Sequence, residues 1–346
     1  MWIVEGLEGD RFALISKTHH CMIDGIAGVD LTTILLNIVP TSEIEDIPPW
    51  SPRPAPEGTE LAVADLARTA GTLVRGVTSA TELARSGKDA VGWVAKRALA
   101  LTSSLRSGWL RPADQTPLNG EIGPNRRFDW IEIELARIKA VKNALGGSVN
   151  DVVLAVVAGA VRHFLTVDHE FAVDEIDFRV MAPVSVRKPN QRGQLGNQVA
   201  MWLVTLPVGE ADPVKRLRII EAETKHLKRT DQALGASMLV DISRGTPIPL
   251  LSLANRMASN AIRPFNMTVT NVPGPQFPMY LLEARMLCNL PIVPLWAQHG
   301  AGIALFSYDG TMFWGVQTDF DTVPDTRGLL DAIDHSFQLL ERAAGV

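Results

Sequence analysis

Cysteine is scarce in this chain, and so are long hydrophobic runs. Only Cys21 and Cys288 are present among 346 residues, too few for a disulfide framework and typical of a protein of the reducing cytosol. No apolar run approaches the roughly 18 residues of a membrane-spanning helix, and the first residues lack the basic and apolar regions of a signal peptide. The sequence therefore predicts a cytoplasmic protein without a spanning helix.

A surplus of positive charge is missing as well. Lysines and arginines number 33 against 38 aspartates and glutamates, which gives a formal charge of −5, so we expect no nucleic-acid partner. Internal repeats and low-complexity tracts are also lacking. Hydrophobic residues, by contrast, make up 46% of the chain, which is enough for the core of one large or two medium domains.

Apolar residues recur along the chain at both strand and helix spacing. The predicted strands are residues 2–4, 11–17, 127–135, 178–186, 199–207, 267–271, 281–289, 302–308 and 312–318. The predicted helices are residues 25–38, 59–108 (broken near 86–87), 136–145, 150–165, 212–229, 236–262 (in pieces) and 326–344. Six prolines between residues 40 and 58 predict an extended surface connection. Glu8-Gly9-Asp10 and Asp309-Gly310 predict turns that join neighbouring strands into hairpins. Strands and helices mixed in this way indicate a layered α/β sandwich.

The most informative motif is His19-His20-Cys21-Met22-Ile23-Asp24-Gly25, between a predicted strand and a predicted helix. A histidine at such a junction can act as a base near neutral pH, because its unperturbed pKa is about 6.5. A second interpretation is structural, with a buried histidine pair and Asp24 capping the next helix. A third is a metal site formed by His20 and Asp24. This one is weaker, because adjacent histidines point in different directions and no other His/Cys cluster accompanies them, so we predict no metal.

Four further motifs follow in order. They are Pro117-Leu118-Asn119-Gly120 with Ile122-Gly123-Pro124 and Arg126-Arg127; Asn150-Asp151 before an apolar helix; Pro183-Val184-Ser185-Val186-Arg187 with Gly196-Asn197; and Thr270-Asn271-Val272-Pro273-Gly274-Pro275. Together with the histidine motif, this set resembles the bacterial wax ester synthase/acyl-CoA:diacylglycerol acyltransferases over nearly the entire chain. That family belongs to the CoA-dependent acyltransferase superfamily, with chloramphenicol acetyltransferase and nonribosomal peptide condensation domains.

The resemblance implies a two-lobed, chloramphenicol-acetyltransferase-like α/β sandwich with an active-site tunnel between the lobes. Residues 1–116 would be the remainder of the N-terminal lobe with a helical crossover, and residues 117–346 the C-terminal lobe. Because family members carry roughly one hundred or more residues before the histidine motif, the chain is expected to be N-terminally truncated. A separate N-terminal fragment or a homodimer would then complete the first lobe.

The chemistry implied by the resemblance is acyl transfer from long-chain acyl-CoA to diacylglycerol or a fatty alcohol. His20 would be the general base, and its imidazolium would then protonate the leaving CoA thiolate. His19 would support His20, Asp24 would orient the loop rather than take part in catalysis, and Gly25 would permit close backbone approach. No cofactor is expected, since acyl-CoA enters as a co-substrate.

Three more residues are candidates for substrate binding. Asn150 or Asp151 would either cap the predicted helix or serve the site, with Asn150 polarising the acyl carbonyl or holding the alcohol. Asn271 ends the strand predicted over 267–271 and belongs to the motif at residues 270–275, which would form a loop beside the acyl channel or, as we favour, a turn after that strand.

Residues 57–111 carry eight Lys/Arg and five acidic residues, with Trp93 and Trp109 among them. This pattern fits a solvated helix and also an interfacial helix on anionic lipid. Because the expected substrates are apolar, we predict a cytoplasmic protein peripheral to the inner membrane or to lipid droplets. The alternatives are an esterase or thioesterase that uses water at the same histidine, and a truncated, non-catalytic lipid-binding protein.

Overall fold

The computed structural model of this chain describes residues 1–19, 34–43, 49, 51–52, 54–61, 63–64, 66–67, 111–185, 199–229 and 263–346. The strands in these ranges are β1 (Trp2–Leu7), β2 (Arg11–Ile15), β3 (Arg126–Glu134), β4 (Phe178–Ser185), β5 (Val199–Leu206), β6 (Met267–Pro273), β7 (Tyr280–Leu281), β8 (Ala284–Arg285), β9 (Ala301–Tyr308) and β10 (Thr311–Asp319). The helices are α1 (Leu135–Leu145), α2 (Val149–His163), α3 (Pro213–Arg229) and α4 (Thr326–Ala344). The predicted mixed α/β class is confirmed.

Six strands form one mixed sheet in the order β3-β10-β9-β6-β4-β5. Strand β6 runs parallel to its neighbours β9 and β4, whereas the other pairs are antiparallel. All eight residues of β9 are buried. Complete burial of a strand requires that both faces of the sheet are covered.

Alternate residues of the central strands point to opposite faces, as the two-residue period of a strand requires. On one face, Ile303, Leu305 and Trp314 belong to the main core, which also contains the buried sides of α2 and α4. On the other face, Phe306 and Phe313 lie directly opposite each other and form a smaller cluster. The described helices α1 to α4 therefore lie on one face of the sheet.

Helix α2 is the centre of the helical layer, where it packs against α3 and α4. With the π-helical turn Phe164–Asp168 that extends it, α2 is long and apolar enough by length and composition to cross a membrane. The expectation that no apolar segment reaches that length is therefore corrected. Because 72% of its most apolar window is buried inside the protein, α2 is the core helix of this layer.

Residues 286–296 cover part of the opposite face, and two glycines in the sheet admit them. A Cβ atom added at Gly302 would lie 2.8 Å from Val293 Cγ1, and one added at Gly315 would overlap the carbonyl oxygen of Pro291. The segment thus rests on bare backbone at these two positions. This explains why each of these two largely buried strands contains a glycine, a residue that otherwise weakens a strand.

The hairpin predicted at Asp309-Gly310 is confirmed. It joins β9 to β10, and both turn residues have positive φ, 44° and 85°, as the favoured two-residue hairpin turn requires. The hairpin predicted near the start of the chain is confirmed too, since β1 pairs with β2 across residues 8–10.

One predicted strand, residues 281–289, is wrong. The short strands β7 and β8 pair across a turn in which Leu282 has φ 55°, and residues 286–295 have no regular secondary structure. Met286 and Leu290 pack against the smaller cluster instead of forming a ladder, whereas Leu287 and Ile292 are exposed. The predicted helices over 25–38, 59–108 and 236–262 lie wholly or largely outside the described residues and stay predictions. In the connection predicted over 40–58, the described residues up to 57 lie in no helix or strand and are nearly all exposed, as expected of a surface connection.

A buried polar cluster attaches the segment before β3 to the start of β6. Asn119 and Asn266 form two hydrogen bonds with each other, with Asn119 Nδ2 donating to the backbone carbonyl oxygen of Asn266 at 2.9 Å and Asn266 Nδ2 donating to Asn119 Oδ1 at 2.9 Å. His299 lies nearby, with its ring nitrogens 2.6 Å and 2.9 Å from the carbonyl oxygens of Ala297 and Phe265. Burial lowers the pKa of His299, and the two carbonyl oxygens oppose that shift without reversing it.

The replacement Gly315→Ala tests the close approach of residues 286–296. We expect the free energy of unfolding to fall by roughly 1–3 kcal/mol, the usual cost of overpacking, because the new methyl group meets Pro291. Gly58→Ala is the control, since nothing lies within 4 Å of the added Cβ there. Urea unfolding of both variants measures the difference, and equal stabilities would contradict the packing described.

The lowered pKa of His299 predicts a loss of stability in mild acid. The unfolded chain binds a proton at His299 near pH 6.5, whereas the folded chain resists protonation until a lower pH. The stabilisation is therefore complete above about pH 6.5 and declines as the pH falls below it. Urea unfolding between pH 8 and pH 5 should show a steeper decline for the natural protein than for His299→Asn, with the exposed His169→Asn as control. If the stability instead rose in acid, the two carbonyl oxygens would raise the pKa of His299 by more than burial lowers it.

Candidate active site

The histidine motif lies at the boundary of the described part of the chain. His19 is exposed and follows β2 by four residues. His20, Asp24 and Gly25 lie outside the described residues. Their roles therefore stay predictions. The candidates that the structure describes are His19, Asn150, Asp151 and Asn271.

Asn150 and Asp151 lie in the first turn of α2, but neither is the N-cap. That residue is Ser148, whose hydroxyl accepts the Asp151 amide at 3.2 Å, while Asp151 Oδ2 accepts the Ser148 amide at 2.7 Å. This reciprocal arrangement is a capping box. The prediction that Asn150 or Asp151 is the cap is therefore wrong, because the cap lies two or three residues earlier. The Ser148-x-x-Asp151 spacing, which is typical of a capping box, indicates this in the sequence.

The carboxylate of Asp151 is fully engaged in holding the helix start. Besides the Ser148 amide, it accepts the Ser148 hydroxyl at 2.7 Å and the Thr224 hydroxyl of α3 at 2.7 Å. Its residue is only 4% exposed, so these three donors replace the water that an ionised carboxylate otherwise requires. The geometry favours a structural role for Asp151, and its predicted contact with substrate stays a prediction.

Asn150 presents the opposite case. It is half-buried, and its side chain forms no hydrogen bond with any other described residue. It also lies where α2 begins, next to backbone amides that carry the positive end of the helix dipole. A free carboxamide at this place can donate hydrogen bonds to a carbonyl oxygen that gains negative charge.

Asn271 lies inside a strand. It belongs to β6 and pairs with Leu305 of β9, and the parallel ladder continues to Pro273. The strand predicted over 267–271 is therefore confirmed, and the favoured interpretation of the motif at 270–275 as a turn is wrong up to Pro273, because pairing with β9 extends the strand that far. Leu305 belongs to the main core, so the half-buried Asn271 shares the helical side of the sheet with α2.

The second motif is also structural where the structure describes it. Leu118 is completely buried, and its carbonyl accepts the Gly300 amide at 2.8 Å. Arg126 Nη1 and the Gly123 amide both donate to Asp319 Oδ1 at 2.9 Å. Burial raises the pKa of Asp319, but amide donors including those of Thr322 and Gly123 outweigh it and hold that pKa below its ordinary value.

Helix α3 carries a basic surface cleft that sequence reasoning missed. The open cleft, of about 490 Å³, is lined by Arg218, Glu221, Ala222, Lys225, Lys228 and Arg229. Glu221 is paired with Lys225 at 2.8 Å and with Arg218 at 3.3 Å, and the Lys225 hydrogen bond lowers the pKa of Glu221. Because Glu221 neutralises part of the charge, we assign no ligand to this cleft. Among the described residues, no group of three His, Cys, Asp or Glu side chains is arranged to hold a metal.

Comparison with known families identifies the family of the chain. Residues 1–153 match the wax ester synthase/diacylglycerol acyltransferase catalytic domain, and residues 195–341 match the C-terminal domain of the same proteins. A protein of Mycobacterium tuberculosis named as a diacylglycerol O-acyltransferase is 32% identical over 355 residues, covering 99% of this chain and 74% of that protein. The chain belongs to the wax ester synthase/diacylglycerol acyltransferase family. The predicted family and the predicted O-acyltransferase class are therefore confirmed.

Further relatives agree. The protein "Probable diacyglycerol O-acyltransferase tgs1" of Mycobacterium tuberculosis is 28% identical over 96% of this chain and 70% of its own length. The solved wax ester synthase/diacylglycerol acyltransferase from Marinobacter aquaeolei superposes with a TM-score of 0.64, with 24% identity, over 99% of this chain and 71% of that chain. An epimerization domain of tyrocidine synthetase B superposes with a TM-score of 0.52 and 12% identity, over 94% of this chain and 68% of that one. These two structures show the shared fold. The division into lobes at residues 116 and 117 stays a prediction.

Because Asp151 is hydrogen-bonded and Asn150 has no described partner, replacing them should have unequal effects on stability. Asp151→Ala should lower the free energy of unfolding by roughly 1–3 kcal/mol, because it removes the capping box and leaves buried donors without an acceptor. Asn150→Ala should change it by no more than about 0.5 kcal/mol. Thermal and urea unfolding of the two variants test this, and a large loss in Asn150→Ala would assign that side chain a structural role.

Proposed function

We propose that this chain transfers the acyl group of a long-chain acyl-CoA to the hydroxyl of diacylglycerol or a fatty alcohol, forming triacylglycerol or a wax ester. Membership of the family supports the reaction type. The observation that carries the assignment of a site is the contrast at the start of α2, where the Asp151 carboxylate is saturated with donors and the Asn150 carboxamide is left without a described partner.

The proposed reaction requires a base, because a neutral alcohol is a weak nucleophile. His20 takes the proton of the alcohol as its oxygen attacks the thioester carbonyl, and the carbonyl oxygen becomes negatively charged. The tetrahedral intermediate then breaks its carbon–sulfur bond, and the His20 imidazolium returns the proton to the CoA thiolate. The protonation state of the protein is restored at the end, so acyl-CoA is the only co-substrate needed and no further cofactor is proposed.

Asn150 is proposed to stabilise the charge that develops on the carbonyl oxygen. Its carboxamide can donate hydrogen bonds, and the adjacent helix start adds the positive end of the α2 dipole. Preorganised donors act most strongly where water is excluded. Asn271, on the helical side of the sheet, is proposed as a second polar group along the acyl path.

The remaining assignments follow the family pattern. His19 is proposed to support His20, Asp24 to orient the loop, and Gly25 to allow close backbone approach. The apolar substrates support a cytoplasmic location peripheral to the inner membrane or to lipid droplets. The basic stretch over residues 57–111, which is proposed to contact that surface, lies largely outside the described residues.

The variants His20→Ala and Asn150→Ala test the proposed roles directly. With labelled oleoyl-CoA and dioleoylglycerol or hexadecanol, we expect His20→Ala to lower the rate of ester formation by about 10²–10⁴, the usual contribution of a positioned base. Asn150→Ala should lower kcat by about tenfold or more through loss of a donor to the oxyanion. Thin-layer separation of the labelled products measures ester and free fatty acid in the same sample.

The matched control is Asn143→Ala, an exposed asparagine on α1, which should retain activity. Ester formation by His20→Ala at the natural rate would disprove the assignment of the base. Release of fatty acid that exceeds ester formation at saturating alcohol would identify a hydrolase instead of an acyltransferase.

A further inference from the structure

A hydrogen bond from α3 reaches the start of α2. Thr224 is 1% exposed, and its hydroxyl donates to Asp151 Oδ1 at 2.7 Å. The same hydroxyl lies 3.2 Å from the carbonyl oxygen of Glu221 in its own helix. The Asp151 carboxylate is both closer and charged. It is therefore the acceptor of the Thr224 hydroxyl, because charge-assisted hydrogen bonds are stronger than those to a neutral carbonyl.

This bond is not required for α2 to begin. The capping box formed by Ser148 and Asp151 already satisfies the helix start. Helix α4 begins with a cap from Asp325, which accepts the Gly328 amide at 2.8 Å, and the described residues show no donor from another element on that carboxylate. The Thr224 bond therefore has a different effect: it fixes the position of the α2 start relative to α3.

Helix α3 is a firm support for such a bond. Leu217, Ile220 and Leu227 of α3 are buried in the main core. At the other end of the contact, Arg216 of α3 packs against Gly159 of α2, where an added Cβ would overlap the guanidinium. Burial, with a smaller contribution from Arg162, lowers the pKa of Arg216 to about 10. Thr224 follows Arg216 by eight residues along α3, whereas its partner Asp151 precedes Gly159 by eight residues along α2. The two helices therefore lie antiparallel and are in contact at two places.

We propose that Thr224 is a positioning residue for the acyl-transfer site. It holds Asp151, Asp151 holds the first turn of α2, and that turn places the Asn150 carboxamide. This inference rests on the proposed function, since it assumes that Asn150 stabilises the transition state. Small displacements of a catalytic group lower the rate much more than they lower binding, so the effect is expected in kcat rather than in KM.

The test compares Thr224→Val, which replaces the hydroxyl by a methyl group of similar size, with the rescue variant Thr224→Ser. Thr224→Val should lower kcat about tenfold and change the KM for oleoyl-CoA by less than about twofold, and Thr224→Ser should restore kcat to within about twofold. Thr166→Val is the matched control. It removes the hydrogen bond that the half-buried Thr166 hydroxyl donates to the Arg162 carbonyl, at the other end of α2 from the candidate site. This variant should leave kcat unchanged. Rates are expressed per folded protein, with the folded fraction measured by circular dichroism.

Combining Thr224→Val with Asn150→Ala separates positioning from a merely structural role. If Thr224 acts through Asn150, the second change should lower kcat less than about twofold in the Asn150→Ala background. An undiminished loss in that background, or a lowered melting temperature with natural kcat, would overturn the inference. A natural kcat for Asn150→Ala would overturn the role proposed for Asn150, and this inference with it. Loss of kcat in Asn150→Ala with natural kcat in Thr224→Val would overturn this inference alone.

Discussion

The fold depends on the burial of β9 from both faces. A strand with every residue buried cannot lie at an edge or face solvent, so it must have a neighbour on each side and a layer above and below. Strands β10 and β6 provide the neighbours, and the helical layer centred on α2 provides one cover. Among the described residues, the irregular chain over 286–296 covers part of the other face, and it fits because Gly302 and Gly315 leave the backbone bare. The position of α2, and of the candidate site at its start, follows from this arrangement.

At the start of α2, two adjacent polar residues have separate tasks. Asp151 is buried and surrounded by donors, which stabilises its charge where water is absent. Asn150, one residue earlier, has no described hydrogen-bond partner. One residue turns the side chain by about 100° around a helix, so adjacent positions meet different surroundings. This difference lets one residue anchor the helix while the other is left for a ligand.

Much of this fold could be read from the sequence, and the failures have identifiable causes. The strands of the sheet and the bounds of α4 follow from the regular spacing of apolar residues. The Asp309-Gly310 pair predicts the hairpin turn, because both residue types tolerate positive φ. The strand predicted over 281–289 is wrong because Met286 packs against the smaller cluster without joining a ladder and Leu287 is exposed, and the apolar pattern alone does not distinguish such residues from those of a strand. The cap at Ser148 was readable from its spacing to Asp151. The Thr224 contact was not, because 73 residues separate it from Asp151 and only tertiary packing brings them together.

The two family matches do not correspond to two independent structural units. Strand β3 lies within the catalytic match, and its pairing partner β10 lies within the C-terminal match. Arg137 of α1 and Glu341 of α4 likewise form a two-pronged ion pair across the boundary, with distances of 2.8 Å and 2.7 Å, and the Arg137 hydrogen bond lowers the pKa of Glu341. The Asp151–Thr224 bond is a third link of this kind. Because the start of α2 is completed by groups from the C-terminal match, the site that carries Asn150 depends on both parts of the chain.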